Sequence, residues 1–372
     1  MDTHFDVVIA GAGIVGLAHA LVAARRGLRV AVVERDHRCV GASIRNFGFV
    51  TVSGQRAGDT WRRARRSRDV WAEVAPEAGI AVEHRGLWLL ARRPAARAVL
   101  EAFVATGMGA GCTLHDPRDA VHLAPGLRCE RAAGVMHSPH ELRVESRDAI
   151  PRLAAWLAGR HGVQFFYGEQ VLEIRPPALR TSLRTLHAER VLLCPGTELT
   201  GVAAAALAPH RLKLTRLQML RVRPETPLRL PGAVMGDLSL VRYRGYADLP
   251  EALPLREQLE SEQAACLRHG IHLIAVQSAD GSLVVGDSHH DDVSPLPFAS
   301  DEVDRLILAQ LRDTLEVGRC EVLERWVGVY PTGHAEDCLI AAPDSASRVV
   351  VVTSGTGAST AFGIAEDVFA AW

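Results

Sequence analysis

The feature that most restricts how this chain can fold lies at its N-terminus. Phe5 to Arg35 reads FDVVIAGAGIVGLAHALVAARRGLRVAVVER, a strand, a glycine turn, a helix and a second strand in immediate succession. The apolar run Phe5 to Ala10 suits a parallel strand buried on both faces. Gly11, Gly13 and Gly16 follow at GxGxxG spacing. The first permits the tight turn, the second lets a pyrophosphate approach the backbone, and the third lets the helix lie close on the strand. The helix predicted from Ile14 to Arg26 aims its first N–H groups, near Ile14 and Val15, at phosphate oxygens. The second strand, Leu28 to Val33, leads into Glu34 and Arg35. A carboxylate at Glu34 accepts hydrogen bonds from both ribose hydroxyls and repels a 2′-phosphate. A dinucleotide site follows; these residues do not choose between FAD and NAD.

Composition narrows the class. A chain of 372 residues can hold two domains with full cores. A formal net charge of −1 argues against a dedicated nucleic-acid binder. No apolar run reaches the ~18 residues of a membrane span, and the N-terminus lacks the basic region of a signal peptide. The expectation is a cytoplasmic protein without nucleic-acid or membrane partners. Cys39, Cys112, Cys129, Cys194, Cys266, Cys320 and Cys338 are scattered without CxxC pairs, so reduced thiols are expected, with neither a disulfide frame nor a metal site. Lys213 is the only lysine, the one candidate for any lysine-dependent step.

Along the chain, Val40 to Val50 has no helical period and is rich in turn residues. It is a candidate loop around a cofactor, with Ser43, Asn46 and Gly48 as its contacts. Gln55 to Val74 carries six arginines among Trp61, Val70, Trp71 and Val74, and reads as a helix with one buried and one wet face rather than a nucleic-acid patch. A helix from Ser146 to Arg160, capped by Ser146, leads into a strand from Val163 to Ile174 that contains Val171. Arg190 to Thr197 is a buried strand ending in a small-residue turn at Gly196. Alternating strands follow at Lys213 to Arg223, Ser239 to Tyr243, Ile271 to Gln277 and Ser282 to Asp287, which make an antiparallel sheet and hence a second domain. A second strand, glycine turn and helix closes the chain at Gly355, Gly357, Ala358, Ser359 and Thr360, where another helix N-terminus can face a polar ligand edge. The predicted architecture is α/β. A Rossmann-like dinucleotide domain takes 1–85, 141–210 and 325–372, and an α+β substrate domain takes 86–140 and 211–324.

These pieces together resemble the D-amino-acid-oxidase superfamily of FAD-dependent oxidoreductases, which includes glycine oxidase and sarcosine oxidase. More narrowly, Arg45-Asn46-Phe47-Gly48, Leu217 to Arg221, Gly286-Asp287-Ser288-His289 and Arg325-Trp326-x-Gly328-x-Tyr330 are similar to a subgroup encoded near phosphonate-degradation genes. The superfamily resemblance implies FAD as cofactor and a small amine as substrate, losing hydride to flavin N5 and giving an imine that hydrolyses to an aldehyde. The subgroup implies an aminophosphonate related to 2-aminoethylphosphonate. Molecular oxygen or another acceptor takes the electrons. Arg45, Arg242 and Tyr243 are the candidate anion grips, Tyr330 and Trp326 candidate flavin neighbours, and His289 and Asp287 candidate amine-orienting groups. Against the sarcosine-oxidase pattern, Gly328 stands where the flavin-tethering cysteine would be, which implies noncovalent FAD. Ser359 replaces a carboxylate-binding lysine, and Val284 stands at the position matched to an oxygen-activating lysine. Oxidation of D-amino acids, glycine or sarcosine, or flavin binding without turnover, are the other readings.

Overall fold

The computed structural model describes residues 3–372. The first strand, His4–Ala10, pairs in parallel with Val30–Glu34 on one side and Thr185–Leu193 on the other. Its neighbours continue to Gln164–Tyr167 at one flank and Ser347–Val352 at the other, all parallel. The chain thus leaves the first strand in one direction and returns on its other side, which opens a crevice at the strands' C-terminal ends, the usual place for a nucleotide in such sheets. Ala10 and Leu193 lie in register there, so both glycine turns start at the same level.

One face of this sheet is covered by the helices Ile14–Arg25, Asp59–Glu77, Ser146–His161 and Gly357–Ala370. The arginine-rich helix packs tightly on the C-terminal one: Trp71 and Phe362 meet edge to face at 5.4 Å, and Trp71 Nε1 donates to the Ala358 carbonyl at 2.9 Å. A Cβ at Gly363 would lie 2.7 Å from the Arg63 backbone, so only glycine allows this approach. Arg62 and Arg63 pair with Asp367, and Arg66 with Glu366. These pairs are mostly solvent-exposed and contribute ~0–1 kcal/mol each. Burial of Phe362 alone is worth roughly 1.5–3 kcal/mol. Packing, more than the ionic seam, holds the two helices together, and these arginines are occupied within the protein.

The second sheet is mostly antiparallel, with Lys213–Pro224 running along Cys320–Thr332 over its whole length. Leu283–Gly286, Ile274–Gln277, Ala233–Gly236, Val82–Ala91 and Gly134–Val144 follow in order. The expected domain cuts at 140/141 and 324/325 fall inside strands. Gly134–Val144 buries Val135 and Met136 in one core and Leu142 and Val144 in the other.

Three local expectations are corrected. Ser239–Tyr243 is not a strand: Asp237–Leu240 and Arg244–Ala247 are short helical turns. Asp237 is buried, and its carboxylate accepts from the Arg92 N–H and the Arg93 side chain, which starts the turn. Val163 to Ile174 is two strands, Gln164–Tyr167 and Val171–Arg175, because Gly168 takes φ +71° and turns the chain out of the sheet. Ser146 does not cap its helix; its hydroxyl donates to Asn46 Oδ1 at 2.7 Å. No helix of the described residues is long and apolar enough to cross a membrane.

Candidate active site

Two connected cavities run from the first sheet's crevice to the inner face of the second sheet. The outer one, about 660 Å³, is lined by Gly11, Glu34, Arg35 and Val171 among others. The inner one, about 390 Å³, reaches the C-terminal glycine turn. Gly13, Ser43, Arg45, Cys194, Gly196 and Val329 line both and mark the junction. Volumes of this size are those of small-molecule and cofactor sites.

The junction is built for close approach. Gly11 takes φ +106°, and a Cβ there would meet the Cys194 carbonyl at 2.4 Å. At Gly16 a Cβ would lie 1.9 Å from the Gly11 carbonyl, so glycine is required for the helix to start against the strand. A Cβ at Gly13 would lie 2.9 Å from Ser43 Oγ, which accepts the Ile14 N–H at 2.9 Å. Glu34 Oε2 accepts from the Ala12 N–H at 2.8 Å, and Oε1 from Asp36 at 3.1 Å. Each carboxylate oxygen keeps a further lone pair for a ribose hydroxyl. A pyrophosphate at the helix N-terminus and an adenosine beside Glu34 fit this cradle.

In the inner cavity the structure brings together Arg45, Arg242, Tyr243, His289 and Tyr330 from four distant segments. The Tyr330 ring lies against the second glycine turn, where a Cβ on Gly355 would meet it at 3.0 Å. Arg242 Nη2 donates to Tyr330 Oη at 3.4 Å. Arg56 and Arg244 also line the cavity, but their guanidinium groups pair with Glu336 and Asp248. Among the described residues no carboxylate pairs with Arg45 or Arg242. Burial raises the Tyr243 and Tyr330 phenols above their ordinary range, so both remain neutral donors at neutral pH.

Asp287, expected beside His289, and His272, which was not expected, complete the wall. Asp287, 5% exposed, lies with Oδ1 3.1 Å from His272 Nε2 and Oδ2 3.7 Å from His289 Nε2. The backbones of His272 and Asp287 exchange hydrogen bonds across neighbouring segments, at 3.3 and 3.1 Å. Desolvation lowers both histidines, His289 to about 3, while His289, His272 and then Arg242 hold the Asp287 carboxyl below its ordinary value despite burial. Although no metal site was expected, the ligand atoms of His272, Asp287 and His289 lie within 4.8 Å of one another.

Some expected contacts lie elsewhere. Gly48 and Thr360 line neither cavity: Gly48 turns the chain at φ +67° against the Val144 carbonyl, and the Thr360 hydroxyl donates to the Thr356 carbonyl. Asn46 lines the inner cavity, but its amide is spent on Ala42, Gly48 and Ser146. Ser359 Oγ accepts the Thr51 N–H at 3.0 Å, so this hydroxyl ties the Thr51 segment to the C-terminal helix. Val284 is packed in the second core, 2% exposed, and lines neither cavity. Ile274, with His272 and Asp287 from the segments beside these strands, lines the inner cavity instead. Gly328 does line the cavity, with a Cβ position 3.0 Å from the Arg45 carbonyl that leaves little room for a tethering side chain.

Comparison with solved structures places this geometry in a known fold. Glycine oxidase from Geobacillus kaustophilus superimposes with TM-score 0.77 at 19% identity, over 99% of this chain and 94% of that one. L-alpha-glycerophosphate oxidase from Mycoplasma pneumoniae, with FAD bound, gives 0.74 at 16%, over 99% and 94%. Iminodiacetate oxidase from Chelativorans sp. BNC1 gives 0.73 at 18%, over 97% and 93%. No curated protein matches the sequence at a significant level. Residues 6–371 match the family described as DAO, FAD dependent oxidoreductase, and the chain belongs to that family.

Proposed function

We propose that this FAD-dependent enzyme oxidises a small primary or secondary amine that also carries a phosphonate, of the 2-aminoethylphosphonate type. The observation that carries the reading is the inner cavity's pairing of opposite demands: two arginines without carboxylate partners, Arg45 and Arg242, share its wall with the buried Asp287 carboxylate. A substrate anionic at one end and an ammonium at the other answers both. Bound FAD supplies the two-electron acceptor, held noncovalently beside Gly328.

In this reading Arg242 grips the anion as a fork, which suits a tetrahedral oxyanion with several acceptors. Tyr330 and Tyr243, both neutral, add phenolic donors and close one wall against water. Leu217, Met219 and Ile274 line the same cavity with apolar surface, which leaves room for a two-carbon chain between the charged ends. Asp287 and the two histidines face the amine. Glycerophosphate oxidase, as named, acts on a phosphate-bearing molecule within this fold, and glycine oxidase and iminodiacetate oxidase on amines. Oxidation of glycine, sarcosine or a D-amino acid is the second reading, since an arginine pair also accepts a carboxylate. Oxygen or another acceptor closes the cycle.

The test is a single anaerobic turnover with 2-aminoethylphosphonate and its N-methyl and hydroxylated relatives, followed by ³¹P NMR. One equivalent of a phosphonate aldehyde per flavin is expected from at least one of them. Unchanged phosphonate, with an amino acid bleaching the flavin, would transfer the assignment to the second reading.

A further inference from the structure

Three acceptor groups meet on the wall of the inner cavity with no hydrogen among them. We propose that His272, Asp287 and His289 form a site for a divalent transition ion of the zinc class, and that this ion excludes the amine while it is bound. The ion site needs no substrate; its rivalry with the amine rests on the amine reading above.

Both imidazoles are oriented from behind. His289 Nδ1 lies 2.9 Å from the Gly270 carbonyl, an acceptor only, so Nδ1 carries the hydrogen and Nε2 keeps its lone pair. Ser239 Oγ donates its one hydrogen to the Leu273 carbonyl at 3.2 Å and therefore accepts from His272 Nδ1 at 3.3 Å. His272 Nε2 is then a lone pair too. It stands 3.1 Å from Asp287 Oδ1, and His289 Nε2 stands 3.7 Å from Oδ2. Asp287 is 5% exposed, and its Oδ1 accepts no hydrogen bond. Two imidazole lone pairs and a carboxylate repel one another unless a cation lies among them. The hydrogen bonds behind the rings are of the kind that orients metal-binding histidines.

Spacing selects the cation. A tetrahedral ion with bonds of ~2.1 Å sets its donors ~3.4 Å apart. The separations of 3.1 and 3.7 Å bracket that figure, and no pair of donors exceeds 4.8 Å. An ammonium nitrogen with ~2.9 Å hydrogen bonds needs its acceptors ~4.7 Å apart, so it reaches Asp287 from the cavity side without settling among all three. All three residues line the cavity, so an ion they hold keeps one position open there. Two imidazoles and one carboxylate suit zinc over magnesium or calcium, which take oxygen ligands. No local spacing announces the site, because its ligands come from two segments joined only by backbone hydrogen bonds between His272 and Asp287. One carboxylate cannot serve two cations at once. Zinc on Asp287 therefore removes the group that the substrate's ammonium meets.

The test begins with metal alone. Tag-free, FAD-loaded protein is dialysed against zinc chloride, and zinc and flavin per chain are measured. Wild type is expected to hold one zinc per chain, undisturbed by an excess of magnesium. Asp287→Asn and His289→Ala, each checked for retained FAD, are expected to bind zinc about a hundredfold more weakly. His290→Ala is the control: it removes one member of the neighbouring His269–His290 pair, 3.0 Å apart, and should leave the stoichiometry at one. No zinc in wild type, or zinc that survives Asp287→Asn and is lost in His290→Ala, would overturn the site. With an amine that bleaches the flavin, zinc should raise the amine concentration for half-maximal anaerobic reduction about tenfold or more and leave the limiting rate unchanged, and EDTA should reverse the effect. Zinc held at the site with no change in half-saturation would overturn the rivalry. If no amine bleaches the flavin, the amine reading falls, and the zinc stoichiometry still decides the metal site.

Discussion

Gly13→Val is expected to yield a colourless protein that retains almost no FAD, whereas wild type is yellow with one FAD per chain, released by acid precipitation. The Cβ of residue 13 would stand 2.9 Å from Ser43 Oγ, and valine adds two methyl groups at the junction of the two cavities. Gly13 has an ordinary φ of −74°, so the effect comes from filled space and not from backbone strain. Displacing Ser43 also removes the acceptor of the Ile14 N–H at the helix start. A loss of even ~3 kcal/mol in cofactor binding is more than a hundredfold in Kd. Gly159→Ala is the control: that helix position has open space around it, so FAD occupancy should be unchanged. Full occupancy in Gly13→Val, measured from the absorbance ratio of flavin to protein, would remove the pyrophosphate from this turn.

The second large effect concerns substrate discrimination. Arg242→Ala should raise KM for the aminophosphonate and lower kcat/KM by about tenfold to a hundredfold, because charge-assisted hydrogen bonds contribute ~1.5–3 kcal/mol each and ~1.4 kcal/mol is a factor of ten. Its guanidinium reaches only Tyr330 Oη within the described protein, so its removal breaks no ion pair and the flavin spectrum should hardly change. Arg242→Lys should recover only part of the loss, since an ammonium lacks the planar fork. Arg45→Ala should act in the same direction. Arg56→Ala serves as the contrast: Glu336 already engages that side chain, and a small effect is expected. Wild-type efficiency in both Arg45→Ala and Arg242→Ala would exclude the anion grip.

What the sequence disclosed and what it hid have a common physical basis. The glycine turn, its helix and Glu34 are local, and their spacing alone encodes close approach, so Gly11, Gly13, Gly16 and Glu34 all line the cavities. Gly355 and Gly357 were legible for the same reason. The far wall of the inner cavity was only partly so. Asp287 and His289 alternate along one segment and share a side, but His272 joins them through pairing between segments, and that register leaves no mark in the sequence. The turn that presents Arg242 reads as a strand, because Ser239 to Tyr243 is a short run with β-branched and aromatic residues; the buried Asp237–Arg93 pair that starts the turn is a contact 144 positions long. Gly48 followed the loop's turn-rich composition toward the cofactor, whereas its positive φ serves the contact with Val144.

The most direct measurement is anaerobic bleaching of the bound flavin at 450 nm by a panel of amines at equal concentration. The account predicts that 2-aminoethylphosphonate, or its N-methyl or hydroxylated relative, reduces the flavin about a hundredfold or more faster than sarcosine or D-alanine, the ratio two arginine contacts supply. Reduction by D-alanine or sarcosine as fast as by any aminophosphonate would contradict it.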